Sequence, residues 1–116
     1  MPIINTTQAT TLASYVEIAD NPEKRMKGLL GRHSLSEGYA LVITRCNSIH
    51  MLFMKFSIDV VFLDKKNRVV GLVPNIKPFQ FSPIFWKASC ALELPVGVIE
   101  LTKTQIGDQI TVTSSW

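Results

Sequence analysis

No stretch of this 116-residue sequence reaches the uninterrupted run of about 18 apolar residues that a membrane-spanning helix needs. The start, Met1-Pro2-Ile3-Ile4-Asn5-Thr6-Thr7, has neither the basic region nor the apolar stretch of a secretory leader. The expected product is therefore soluble, without a membrane span, and cytoplasmic; a leader removed further upstream is the arrangement this reading leaves open. Cysteine is scarce too. Cys46 and Cys90 could pair if their strands were neighbours, but a chain with its own core and no leader points to a reducing compartment, where both read as apolar thiols. There is no C-x-x-C, no H-E-x-x-H and no carboxylate cluster of EF-hand spacing, so no metal is expected, and no cofactor. Serine hydrolysis and nucleotide use lack support as well: G-x-S-x-G is absent, and Gly28-Leu29-Leu30-Gly31-Arg32 has neither the lysine nor the spacing of a phosphate-cradling loop.

What is present is an ordinary core. A chain of this length buries roughly 65% of its unfolded surface and needs no staple, so a single domain spanning 1–116 is expected. The net charge is +3 and the pI near 9.0, with the basic residues spread along the chain. The densest group, Lys24, Arg25, Lys27 and Arg32, is too short for a nucleic-acid footprint and reads as a solvated helix face. A monomer with a small molecule or a protein as partner, and no nucleic acid, is the expectation.

Leu12 to Ala19 is rich in β-formers and ends at Asp20-Asn21-Pro22. Asn21 suits an N-cap, Pro22 the first helical position, and Glu23 the positive end of the dipole. Met26, Leu29 and Leu30 then form one apolar stripe, which predicts a helix over about 22–30 closed by Gly31. Gly28, inside it, marks a close approach of backbone to the sheet. Further strands are predicted at 39–44, 49–56, 58–63, 68–73, 89–94 and 109–113, with Asp64-Lys65-Lys66-Asn67 as a hairpin turn and one helical turn within 96–103. Pro74, Pro78 and Pro83 predict an extended loop over 74–83. Many short strands and one early helix predict a mainly β fold, bordering on α+β. It would be a small antiparallel β-sandwich or partly open barrel, with the helix covering an end or edge.

Several segments carry a family resemblance. Cys46-Asn47-Ser48-Ile49-His50, Phe53-Met54, Ile58-Asp59-Val60-Val61-Phe62-Leu63-Asp64, Leu92-Glu93-Leu94-Pro95-Val96-Gly97 and Gly107-Asp108, together with Asn21-Pro22-Glu23-Lys24-Arg25 and Gly28-Leu29, resemble the uncharacterised domain of unknown function 192. The resemblance runs from about Val16 onward. It implies a small β-rich sandwich or barrel and lends no activity. Ser57 stands where that family commonly has proline, and Met51-Leu52 where it has threonine and an aromatic.

Three residues are candidate acid/base groups. His50 shares strand parity with Leu52, Met54 and Phe56, so its ring is expected along an apolar face, either as a buried hydrogen-bonded imidazole or as a catalytic or ligand-binding one. Asp59 opens the apolar run Val60-Val61-Phe62-Leu63 and must find donors. It is either a loop-closing carboxylate or, functionally, a general base or the partner that orients His50. Glu93, between Leu92 and Leu94, reads as solvent-facing unless it meets His50 or Asp59 in space. Cys46 and His50 suggest a thiol and its base, but on a continuous strand they lie roughly 13 Å apart, so the pair requires a turn at Asn47-Ser48. Phe79, Phe81, Phe85 and Trp86, interleaved with prolines, either stack on a ligand or plug one end of the fold.

The function expected from this is a β domain that binds a small ligand or a protein partner through the aromatic loop and the His50 region. One alternative is a hydrolase-like or isomerase-like enzyme using His50 with Asp59 or Glu93, which requires the imidazole and a carboxylate to converge in one pocket. The other is a structural accessory of a larger assembly, recognisable by an unpaired strand edge.

Overall fold

Short apolar segments separated by glycine, proline and Asn/Asp turns form eight strands and two helices in the computed structural model, which describes residues 2–112. In chain order these are β1 (Ile3–Asn5), β2 (Thr10–Ala13), β3 (Tyr15–Ala19), α1 (Pro22–Lys27), β4 (Tyr39–Thr44), β5 (Ile58–Leu63), β6 (Val69–Ile76), β7 (Cys90–Leu94), α2 (Val98–Leu101) and β8 (Ile110–Val112). Thr113, the predicted end of the last strand, lies outside the described residues.

The strands make two sheets, β3-β4-β7-β5-β6 and β2-β1-β8, which do not close into a barrel. The fold is mainly β, as expected. Every strand pair is antiparallel except β3 with β4. There the chain leaves β3 through α1 and returns to pair in parallel, which requires a crossover rather than a hairpin. The uniformly antiparallel arrangement expected from the sequence is corrected at this one pair.

Each face of the larger sheet has its own core. Ile3, Leu12 and Ile110 of the small sheet cover Val61, Leu63, Leu92 and Leu94. Leu29, Ile49 and Met51, from the segments after α1 and β4, cover Leu41, Val60 and Phe62. Strand β5 is buried at all six positions, which is why it reads as a continuous apolar run instead of an alternating one.

Four local differences from the sequence reading have physical causes. The predicted strand over 12–19 breaks at Ser14, handing the chain from one sheet to the other. Strand β6 continues through Pro74 because it is an edge strand, where the missing N–H costs no ladder bond. The segment 49–56 is not a strand. The Met51 N–H donates to Gln80 O and the Phe79 N–H to Met51 O, both at 2.8 Å, and Phe53 takes a φ of 64° that turns the chain. Helix α1 starts as read, with Asn21 Oδ1 accepting the Lys24 N–H at 2.9 Å, but stops at Lys27. Gly28 is its cap, at φ 47° and ψ −126°, a conformation that needs glycine.

Candidate functional site

Alternation along β7 sends Leu92 and Leu94 toward the small sheet and Ala91 and Glu93 to the opposite face. The register places Glu93 between Leu41 of β4 and Val60 of β5, two buried apolar neighbours. Above it runs the backbone at Gly28, where a Cβ would stand 3.8 Å from Glu93 Oε1. Glu93 is 5% exposed, and Oε1 has no hydrogen-bond partner among the described residues. Burial pushes its carboxyl up to about 7, with the more distant Arg32 pulling weakly the other way. The solvent-facing Glu93 expected from the sequence is corrected: the face opposite the leucines was rightly identified, but α1 and two loops cover it.

Glu93 lines a cavity of about 330 Å³ between α1, the end of β4 and the segment that follows it. Leu29, Ile43, Ile49 and Met54 supply apolar walls. Arg25, half-buried, reaches across to Thr44 Oγ1 at 3.5 Å. Arg45, held at a φ of 51°, and Lys27 complete a basic rim, while Met26 at the edge is 81% exposed. Among the described residues the side-chain ion pairs are Arg32 with Glu17 at 2.7 Å and Arg68 with Asp64 at 3.8 Å, so the cations of the rim have no carboxylate partner.

His50 lines the same cavity. It is exposed, however, while its neighbours Ile49 and Met51 turn inward. The parity expected with Leu52, Met54 and Phe56 is corrected because 49–56 is a folded-back loop bridged only at His50 to Phe81. Cys46 also borders the cavity, since bends at Arg45 and Asn47 remove the separation that a continuous strand would impose. Its thiol donates to Ser48 O at 3.2 Å and is pushed up by burial, with the nearby Glu93 charge adding to this and Arg25 opposing it. Cys46 is thus a protonated thiol at neutral pH. Cys90 is likewise a free thiol, pushed up to about 11 chiefly by burial.

Asp59 is not brought to this cavity. Its register partner is Leu94, so it faces the small-sheet side, where it is 1% exposed. The N–H groups of Asn75, Gly97 and Ile99 donate to it at 2.9, 3.1 and 2.9 Å, tying α2 to the end of β5. The four aromatics also separate. Phe85 packs on Phe62, with ring centroids 4.7 Å apart, over Gly71. Phe79 and Phe81 are exposed, Phe79 edge-on to the equally exposed Phe53 at 6.4 Å. Trp86 borders a different hollow, beside Asp64, Arg68 and Lys87. Arg25 was read only as part of a solvated helix face and Arg45 was not singled out, while Met26, read as part of the apolar stripe with Leu29 and Leu30, is instead exposed at the rim. The close approach expected at Gly28 is corrected: a Cβ there would meet Glu93 Oε1 only at the ordinary contact distance of 3.8 Å, and glycine is required instead by the cap's φ of 47°.

The model of DUF192, described as "Uncharacterized ACR, COG1430", matches residues 3–112. The chain is similar to a UPF0127 protein of Thermococcus sibiricus, 41% identical over 93% of this chain and 72% of the relative. It is 37% identical to a UPF0127 protein of Pyrococcus abyssi, over 93% of this chain and 94% of that one. Among solved structures it is similar to a protein of unknown function from Novosphingobium aromaticivorans. The TM-score is 0.84 at 19% identity, covering 97% of this chain and 84% of the other, a likeness of fold.

Proposed function

This chain belongs to the DUF192 family, and on that premise we propose that it is a small-ligand-binding β domain whose site is the cleft floored by Glu93. The observation that carries the reading is the unpartnered Oε1 of a carboxyl that is 95% removed from solvent and borders a cavity. A buried polar atom without a donor costs free energy, about 1–3 kcal/mol, and such an atom in a cleft is what a ligand's donor would satisfy. The cavity volume falls within the ordinary range for small-molecule sites. In this reading residues 1–116 act as one domain and a cytoplasmic monomer, the partner is a small molecule rather than nucleic acid, and the exposed Phe79 and Phe81 extend the site past His50. No described helix is long and apolar enough to cross a membrane.

The test is an NMR titration of the ¹⁵N-labelled chain with a panel of small polar fragments. Shifts are expected at Gly28, Arg45, Ser48 and Glu93 amides. Shifts confined to other regions would refute the assignment.

A second reading, an acid/base enzyme, is favoured by one observation: His50 and Glu93 border the same cavity, and a carboxyl near 7 can exchange a proton at neutral pH. Asp59 has no part in it, since its oxygens are occupied on the other face.

A further inference from the structure

The cleft just described has charge of opposite sign at its two ends. At the floor stands Glu93, with an acceptor oxygen that no donor among the described residues satisfies. At the mouth stand Arg25, Lys27 and Arg45, none paired to a carboxylate among the described residues. Between them the walls are apolar, from Ile43, Ile49 and Met54. A simple cation would meet three positive side chains on entry, and a simple anion would be drawn to the mouth but repelled by an ionised floor. A neutral apolar molecule would fill the walls and leave Oε1 as it is, still without a donor.

Resting on the small-ligand reading above, we propose that the cleft takes a zwitterion: an amine whose N–H groups donate to Glu93, an apolar stem along Ile43, Ile49 and Met54, and an anionic group held by Arg25 and Arg45. The amine supplies the donor that the floor lacks, and in a water-poor cavity a charge-assisted hydrogen bond of this kind is stronger than a neutral one. The planar guanidinium groups offer a carboxylate or phosphonate two parallel bonds each. Met26, flexible and exposed at the rim, can repack over stems of different length. An ammonium favours the ionised carboxyl, so occupancy increases with pH through the titration of Glu93. The other titratable groups around the carboxyl are Arg25, Lys27, Arg45, Cys46 and His50 at the cavity and Arg32 beyond Gly28.

The test is calorimetric and NMR titration of the full chain at pH 6 and pH 8 with ω-amino carboxylates of four, six and eight carbons. The matching fatty acids, which lack the amine, and alkylamines, which lack the acid, serve as comparators. At pH 8 at least one amino carboxylate is expected to bind about tenfold tighter than either comparator of its length, and tighter than it does at pH 6. Glu93→Gln removes the preference for the amine and its pH dependence. Arg25→Gln with Arg45→Gln removes the preference for the acid, and Lys87→Gln, at the separate hollow beside Trp86, leaves both in place. Fatty acids or alkylamines that shift the cleft amides as strongly as the amino carboxylates would overturn the zwitterion while leaving the cleft a binding site. No shift at any cleft amide with any probe would overturn both. Retention of the amine preference in Glu93→Gln would overturn the role given to that residue.

Discussion

Asp59 and Glu93 stand on the neighbouring strands β5 and β7, 1% and 5% exposed, on opposite faces of one sheet. Asp59 accepts three backbone N–H groups and closes the end of the fold around α2. Glu93 has an oxygen that accepts nothing from the described residues and is covered by a helix that contributes no buried residue of its own. The small-sheet face is packed against a hydrogen-bonded sheet, whereas the other is roofed by α1 and two loops. Two buried acids in equivalent settings thus separate by what surrounds them: one completes the architecture, and the other keeps a polar atom in reserve.

The sharpest way to break this comparison is Asp59→Ala, which strands three N–H groups at once. A loss of about 3–5 kcal/mol is expected in denaturant unfolding, with the α2 amides losing hydrogen-exchange protection first. The counterpart on the other face is a pH effect. Burial lifts Glu93 to about 7 from the ordinary 4.5, so the folded chain holds a proton that the unfolded chain has already released. Stability contributed by the neutral carboxyl is therefore full below pH 4.5, falls as pH rises through the window to 7, and levels off above it. The total is about 3 kcal/mol. Unfolding midpoints measured from pH 5 to pH 8 should show the decline, and Glu93→Gln should abolish this component. The smallest effect belongs to the roof itself. A Cβ at Gly71 would lie 2.5 Å from Phe85 Cδ1, so Gly71→Ala must displace the ring from Phe62. A cost of about 1–3 kcal/mol in thermal unfolding is expected, accompanied by a change in the ring-current shifts of Phe62.

Much of the sheet was legible because strands 39–44 and 58–63 are apolar runs bounded by turn residues, and Asn67 does take the left-handed φ of 60° that its turn requires. The site was less legible. Period-two parity holds only where a ladder holds it, and 49–56 trades its ladder for a folded-back cover over the core, which reverses the orientation read for His50. Glu93 was read to the correct face but with the wrong medium, because alternation shows which side a residue takes and not what will cover that side. Asp59 illustrates the converse. Its need for donors was plain from the apolar run it opens, while the donors come from Asn75, Gly97 and Ile99, 16 to 40 positions away.

The parallel crossover from β3 to β4 has a mechanical consequence. Because α1 hangs between two strands already bonded to each other, the sheet keeps its ladder whether that short helix is seated or lifted. The helix contributes no buried residue of its own, so its hold on the sheet rests on Leu29, two residues past its end and buried in the core, and solvent entry over Glu93 is resisted by that one side chain rather than by the sheet.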